Sequence, residues 1–254
     1  MIPIWLITRK IAHRGLHNTT FPENSLGAFE NACKNEFPLE LDVHLLADGN
    51  VAVFHDTTLL RMCGINKRLY DIPSHKLKEY NLLDTQYYIP TLEETLTLIN
   101  GRVPIIIEIK AFNKVAKSCK RIVEILKNYK GEYAIKSFNP LVVIWFRLHA
   151  SNIPRGMLCS SLQDEQLNRL YKTLIKRLSL YRLCKPDFIS CNVDDLPNKY
   201  VRNKKVPKLS WTIRSPEQET FALTIVDNVV FENYIPSSKT INKNQTPSQS
   251  HIGV

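Results

Sequence analysis

Paired cysteine motifs, glycine-rich phosphate loops and long apolar runs are all missing from this 254-residue chain, and each absence removes a class of protein. The six cysteines (Cys33, Cys63, Cys119, Cys159, Cys184 and Cys191) form no CxxC pair and no zinc-ligand spacing. Several lie in apolar stretches, where Cys behaves as a small buried hydrophobe, and a reducing cytosol is the plainer setting. No run is long enough to span a bilayer. The apolar opening Met1–Thr8 lacks a basic n-region and a small-residue cleavage site, and is shorter than a signal-peptide core. A cytoplasmic protein without stable membrane insertion is expected. Acidic residues are outnumbered, 24 against 34 basic ones, and the net charge of +10 favours anionic partners. That excess is spread along the chain. Its densest patch, Arg202-Asn203-Lys204-Lys205, reads as a solvated basic face and not as a nucleic-acid surface.

What is present is an alternation of short apolar segments with longer helical patterns. Eight segments read as strands: Lys10–Gly15, Leu39–Leu45, Val103–Lys110, Tyr133–Phe138, Arg155–Cys159, Phe188–Val193, Leu209–Ile213 and Asn228–Glu232. Helical periodicity falls between them at Ser25–Asn35, Leu92–Asn100, Val115–Asn128, Leu141–Ala150, Leu162–Leu180 and Pro216–Ile225. Asn24 or Ser25 can cap the first helix, and Pro140 and Pro216 suit helix first turns, where the missing N–H costs nothing. The hydrophobic content of 44% supports a full core, and the length suits one large domain. Eight β/α units in series predict an α/β fold, a (β/α)8 TIM-type barrel. An open doubly wound sheet is the runner-up, but no glycine-rich phosphate loop supports it. Val51–His55 reads as an extra short strand, and the polar stretch to Pro90 as a small insertion (about 57–90) between barrel strands two and three. The barrel is expected over 1–236, with a disordered polar tail over 237–254.

Four polar clusters sit on or at the end of these strands: His13-Arg14-Gly15, Glu40-Leu41-Asp42, His55-Asp56 and Glu108-Ile109-Lys110. Side chains two apart share a strand face, so Glu40 and Asp42 point the same way, as do Glu108 and Lys110. Barrel active sites lie at the C-terminal ends of the strands, where these late positions can converge. Glu40 and Asp42 are hard oxygen ligands suited to Mg²⁺ or Ca²⁺, and Glu108 can complete the set. Three inward carboxylates without a cation would resist ionisation together. His13 and His55 are the natural proton-transfer pair. His17, His44, His75, His149 and His251 carry the ordinary core or surface reading. Arg14 offers a planar fork for phosphate oxygens and Lys110 a point charge. Trp211 can wall the pocket, and Asp56 can orient His55 or its loop.

These stretches, together with Pro22-Glu23-Asn24-Ser25, Ala28-Phe29, Asp48-Gly49, Val53-Phe54, Leu59 with Arg61 and Gly64, and Pro90-Thr91-Leu92-Glu93-Glu94, resemble the glycerophosphodiester phosphodiesterase family. The likeness spans about residues 10–235 and is densest in the first 110, with Ser137-Phe138 and Trp211-Thr212 similar to later family motifs. It implies a metal-dependent TIM-type barrel that hydrolyses glycerophosphodiesters to glycerol 3-phosphate and an alcohol such as choline or ethanolamine. It further implies His13 and His55 as acid and base, Glu40, Asp42 and Glu108 as metal ligands, and Arg14 and Lys110 as phosphate contacts. Two places depart from the family pattern. The last strand carries Asn228 and Glu232 where a glycine-containing turn and an Asp are usual, and Glu36-Phe37-Pro38 replaces a turn that often holds Gly.

Two other functions compete with this one. A lipid-directed phosphodiesterase of the same fold (lysophospholipase D or phosphatidylinositol phospholipase C-like) would need exposed apolar loops at the barrel mouth, for which Tyr80–Ile89 is the candidate. A non-enzymatic binder of anions or nucleic acid would lack one or more of the seven polar site residues, and none is missing.

Overall fold

The computed structural model describes residues 2–111, 114–161, 173 and 175–241. Eight parallel strands close into a barrel: β1 (Ile11–Ala12), β2 (Leu39–Leu45), β4 (Ile105–Ile109), β5 (Tyr133–Ser137), β6 (Arg155–Cys159), β7 (Phe188–Asn192), β8 (Lys208–Ile213) and β9 (Asn228–Phe231). Closure runs through β1, which pairs with β9 on one side and with β2, at Ala12 and Leu39, on the other. The extra strand β3 (Val51–Val53) lies antiparallel to β2, outside the barrel order. The open-sheet alternative is therefore excluded.

Strand alternation divides the core in two. Odd positions such as Leu39, Leu41, Ile105, Ile107 and Ile135 face outward onto the helices, where they meet Phe29, Leu96 and Ile122. Those three belong to α2 (Leu26–Lys34), α4 (Leu92–Ile99) and α5 (Val115–Leu126). The even positions of β2, β4 and β5 face inward. Ile106 and Ala134 join Ile11, Phe188, Leu209 and Val230 in a separate interior layer. This layer is closed by α1 (Trp5–Thr8), whose Trp5 and Leu6 are buried against it. The apolar opening of the chain is thus part of the barrel's own core. Asn228, one of the two departures in the last strand, tethers α1: its Nδ2 donates to the carbonyls of Leu6 at 2.9 Å and Arg9 at 2.7 Å.

Between β3 and α4 lies the insertion, with α3 (Leu60–Cys63), two short 3-10 turns and a small core of its own around Leu59, Met62, Leu77 and Leu82. Further helices among the described residues are α6 (Pro140–His149), α7 (Tyr181–Cys184), α8 (Lys199–Arg202) and α9 (Pro216–Leu223). Ser25 caps α2 by accepting from the Ala28 N–H, and Pro140 and Pro216 open α6 and α9. Most of the helix expected over 162–180 lies outside the described residues. So does 242–254 of the expected tail, whereas Thr240 pairs with Arg9 and Lys10 donates to the Lys239 carbonyl. Glu36, in the turn that often holds Gly, has φ +57°, the left-handed conformation that favours glycine, and its carboxylate pairs with Lys239 at 2.9 Å.

The first strand is shorter than expected. His13 and Arg14 are not late strand residues but lie in a turn just past β1, with φ of +52° at Arg14 and +80° at Gly15. Glu40 holds that turn: its Oε2 accepts from the Arg14 N–H at 3.1 Å and its carbonyl from Gly15 at 3.1 Å. A Cβ on residue 15 would meet Ala28 and Phe29 at 2.9 Å, so only Gly permits α2 to lie this close. Lys110 likewise stands one residue beyond β4, and His55 two beyond β3.

Candidate active site

Register assembles the acidic cluster. Asp42 of β2 is level with Glu108 of β4, which is level with Lys136 of β5. All are even, inward positions. Glu40, Asp42 and Glu108 are buried, and each presents a carboxylate oxygen within 4.8 Å of the others. Lys110 Nζ stands 3.2 Å from Asp42 and 2.6 Å from Glu108, while Lys136 Nζ stands 2.9 Å from Glu40 and 3.4 Å from Glu108. Burial opposes the charge on Asp42, but Lys110, His55 and Arg14 outweigh it and hold the carboxyl well below its ordinary range. Glu108 is lowered in the same way by Lys110 and Lys136 against its burial, and both lysines are raised by the acids in return.

The donor set fits a hard divalent cation. Glu40 Oε1 and Glu108 Oε1 are buried yet accept no well-directed hydrogen bond, having only a lysine ammonium against each. Buried acceptors without a donor are costly, by about 1–3 kcal/mol each, and three convergent carboxylates are what Mg²⁺ or Ca²⁺ takes from a protein.

Both histidines have one ring nitrogen held by a carboxylate. His13 Nδ1 lies 2.5 Å from Glu232 Oε2, and His55 Nδ1 lies 2.6 Å from Asp56 Oδ1. An ionised carboxylate only accepts, so Nδ1 carries a proton in each ring and Nε2 is the nitrogen left for chemistry. His13 Nε2 faces Glu40 at 4.0 Å. Burial, helped by Arg14, pushes the His13 pKa down from 6.5 despite its bond to Glu232, so the ring stays neutral. Arg214 donates to the other oxygen of Glu232 at 2.8 Å, and His17 Nε2 stands 3.6 Å from Oε2, the oxygen that holds His13.

A second network ties the insertion to the barrel. Arg61 of α3 bonds both oxygens of Asp56 and both of Glu23, at 2.7–3.1 Å. Glu23 in turn accepts from Arg14 Nη1 at 2.7 Å, and Arg14 Nε lies 3.3 Å from Asp42. Asn24 completes the hold on Asp42, donating from Nδ2 at 3.0 Å and accepting the Asp42 N–H at 3.2 Å.

Seven of the eight residues singled out in the sequence therefore join one network of ion pairs and hydrogen bonds, and Trp211 borders it, its ring centroid 6.0 Å from Lys136 Nζ. Arg14 and Lys110 are engaged by carboxylates, and Trp211 donates to the Ser190 carbonyl at 3.2 Å and packs edge-on to Phe138. The Tyr80–Ile89 stretch does not offer an exposed aromatic loop. Tyr80 is buried, Tyr87 packs against Phe21, and the Tyr88 hydroxyl reaches Glu94 at 3.4 Å. His44, read as an ordinary histidine, supports the site from behind. Its Nε2 meets the His55 carbonyl at 3.0 Å, and burial lowers its pKa to about 4.

Two partners escaped the sequence reading. Lys136 lies in a recognised strand, and its inward parity was the available signal. Glu232 was noted only as a departure, and nothing local links it to His13, 219 positions away. Removing Lys136 leaves Glu40 and Glu108 short of a counter-charge. Lys136→Met is therefore expected to cost about 3–5 kcal/mol of stability, partly restored by added Mg²⁺ or Ca²⁺, as read by urea unfolding. A variant as stable as the parent would show that Lys136 does not balance these acids.

Residues 13–234 match the glycerophosphoryl diester phosphodiesterase family over nearly the whole barrel. The chain belongs to this family. It is 34% identical over 116 residues to a glycerophosphodiester phosphodiesterase of Bacillus altitudinis, covering 43% of this chain and 47% of that protein. It is 32% identical over 140 residues to human lysophospholipase D GDPD1, covering 50% and 43%. The chain thus aligns with about half the length of these two relatives. A solved Oleispira antarctica phosphodiesterase, in complex with the product sn-glycerol-3-phosphate, shares the fold with a TM-score of 0.75. Its identity is 22%, over 91% of this chain and 95% of that one. Among the described residues, no helix is long and apolar enough to cross a membrane.

Proposed function

We propose that this chain is a metal-dependent glycerophosphodiester phosphodiesterase, yielding glycerol 3-phosphate and a free alcohol. The observation that carries this reading is the convergence of two carboxylate-held histidines on a buried three-carboxylate cluster at the C-terminal mouth of the barrel. Glu40, Asp42 and Glu108 would hold the cation. A divalent ion there supplies Lewis-acid polarisation of a phosphoryl oxygen and neutralises charge developing on it.

The chain's own residues divide the remaining work. Arg14 and Lys110 border the cluster and can turn to the phosphate oxygens, Arg14 as a fork and Lys110 as a point charge. His13, kept neutral with Nε2 free, accepts the proton of the attacking oxygen, whether that oxygen comes from water or from the glycerol hydroxyl beside the phosphate. His55, held by Asp56 at Nδ1 and more exposed, acts in its imidazolium form and donates its Nε2 proton to the departing alkoxide as the P–O bond breaks. Trp211 walls the pocket. Among the described residues the site offers no second polar cluster shaped to one alcohol, so glycerophosphocholine and glycerophosphoethanolamine should be turned over with similar kcat/KM.

The name of the human relative supports a second reading, lysophospholipid as substrate. The arrangement at the mouth favours it less, because the three tyrosines of Tyr80–Ile89 are folded against the protein and Leu83 alone of its apolar side chains is exposed. Measuring kcat/KM for both glycerophosphodiesters and for a long-chain lysophospholipid, each with and without chelator, separates the two. A strong preference for the lysophospholipid would replace the first reading by the second.

A further inference from the structure

An outer helix of a barrel needs apolar residues only on the face that covers the sheet, yet α6 carries them on both. Val142, Val143 and Phe146 are buried beneath it. On the opposite side Leu141 and Leu148 are 57% and 64% exposed, with half-buried Trp145 between them. Positions 141, 145 and 148 fall on one stripe of a helix with 3.6 residues per turn. Leu183 of α7, 55% exposed, extends the stripe, and Arg147 Nη1 fastens the two helices by donating to the Leu183 carbonyl at 2.6 Å.

Among the described residues the unpaired charges around this stripe have one sign. Neither α6 nor the stretch 175–185 contains an acid. Arg147, Arg182 and Lys185 make no ion pair among the described residues, and exposed Lys176 and Arg177 stand just before α7. Acids on adjoining elements are engaged elsewhere: Glu124 of α5 lies 3.8 Å from Arg121, and Asp187 lies 3.4 Å from Arg155.

We propose that the α6–α7 face is a peripheral docking surface for an anionic lipid bilayer. Cations at headgroup level beside Leu and Trp side chains that enter the acyl boundary are the chemistry such a surface requires. A second copy of this chain fits less well. A two-fold contact would set Arg147, Arg182 and Lys185 against their own counterparts with no acid to receive them. The upper end of the stripe also adjoins the site, because Leu141 follows three residues after Phe138, whose ring packs at 5.7 Å against Trp211. Docking there would bring the barrel mouth to the membrane boundary without any inserted helix.

The test uses the full chain and vesicle sedimentation. Binding is expected to phosphatidylcholine vesicles containing phosphatidylglycerol, weakly or not at all to phosphatidylcholine alone, and to fall away in 1 M salt, where screening acts within about 3 Å. Each cation near an anionic surface strengthens binding about fivefold, so R182Q combined with K185N should weaken it about 25-fold. Asn suits residue 185, whose φ is +41°. L148E, at an exposed position, should weaken binding as well. Both variants should retain full turnover of soluble glycerophosphocholine, which also shows that they are folded. Equal binding to both vesicle types, binding to neither, or a concentration-dependent dimer abolished by L148E would each overturn the proposal.

Discussion

Removing divalent cations should abolish turnover of glycerophosphocholine, and Mg²⁺ or Ca²⁺ should restore it. Glu40, Asp42 and Glu108 converge within 4.8 Å with buried oxygens that lack well-directed donors, a ligand set that suits a hard cation. The fold itself should survive chelation, because Arg14, Lys110 and Lys136 already oppose the three carboxylates in the barrel. Thermal unfolding gives an independent readout. Cation at about a hundred times its Kd should stabilise the native state by roughly 2.7 kcal/mol, and this increment should disappear with Asp42→Asn. That substitution removes the charge shared by Lys110 and Arg14 together with a ligand oxygen, so activity and metal-linked stabilisation should fall together. Full activity in excess chelator would refute the assignment of the cluster.

Replacing either His13 or His55 by alanine should lower kcat by about 10²–10⁴-fold while leaving the metal-linked stabilisation in place. The pH profile should carry the signature of His13. Its folded pKa lies below 6.5, because burial disfavours the imidazolium more than Glu232 favours it. A group that must be neutral to accept a proton is lost as pH falls through its pKa, so the acid limb of kcat/KM should lie below pH 6.5. Glu232→Gln keeps the shape but removes the charge that fixes the Nδ1–H tautomer, and should lower kcat more than it changes KM. A His13→Ala enzyme with near-parent kcat would make that histidine structural.

Much of this site was legible in the chain. Glu40-Leu41-Asp42 and Glu108-Ile109-Lys110 each place two charges on one face by strand alternation alone, and that parity is what the barrel shows for Glu40, Asp42 and Glu108. His55-Asp56 was legible as a neighbouring pair, and the structure brings it together at 2.6 Å. Less legible was the geometry of His13-Arg14-Gly15. The apolar run before it suggested a longer strand, and the turn that ends β1 after Ala12 depends on hydrogen bonds to Glu40, 25 positions and more further along the chain.

By itself the sequence determined the succession of strands and helices, the inward parity of the acids and the barrel that buries them, because hydrophobic periodicity is a local property of backbone geometry. Only the tertiary structure decided which charges meet. Lys136 enters the acid cluster because β5 pairs with β4 in a register that sets it level with Glu108. Arg61 joins Asp56 to Glu23 because the insertion folds back over the barrel mouth. Glu232 reaches His13 because β9 closes the barrel onto β1, pairing Ile11 with Val230 and Ala12 with Phe231. Alternation sets which way each side chain points, but the neighbour it meets across a closed sheet is set by strand order and register, which no local pattern contains.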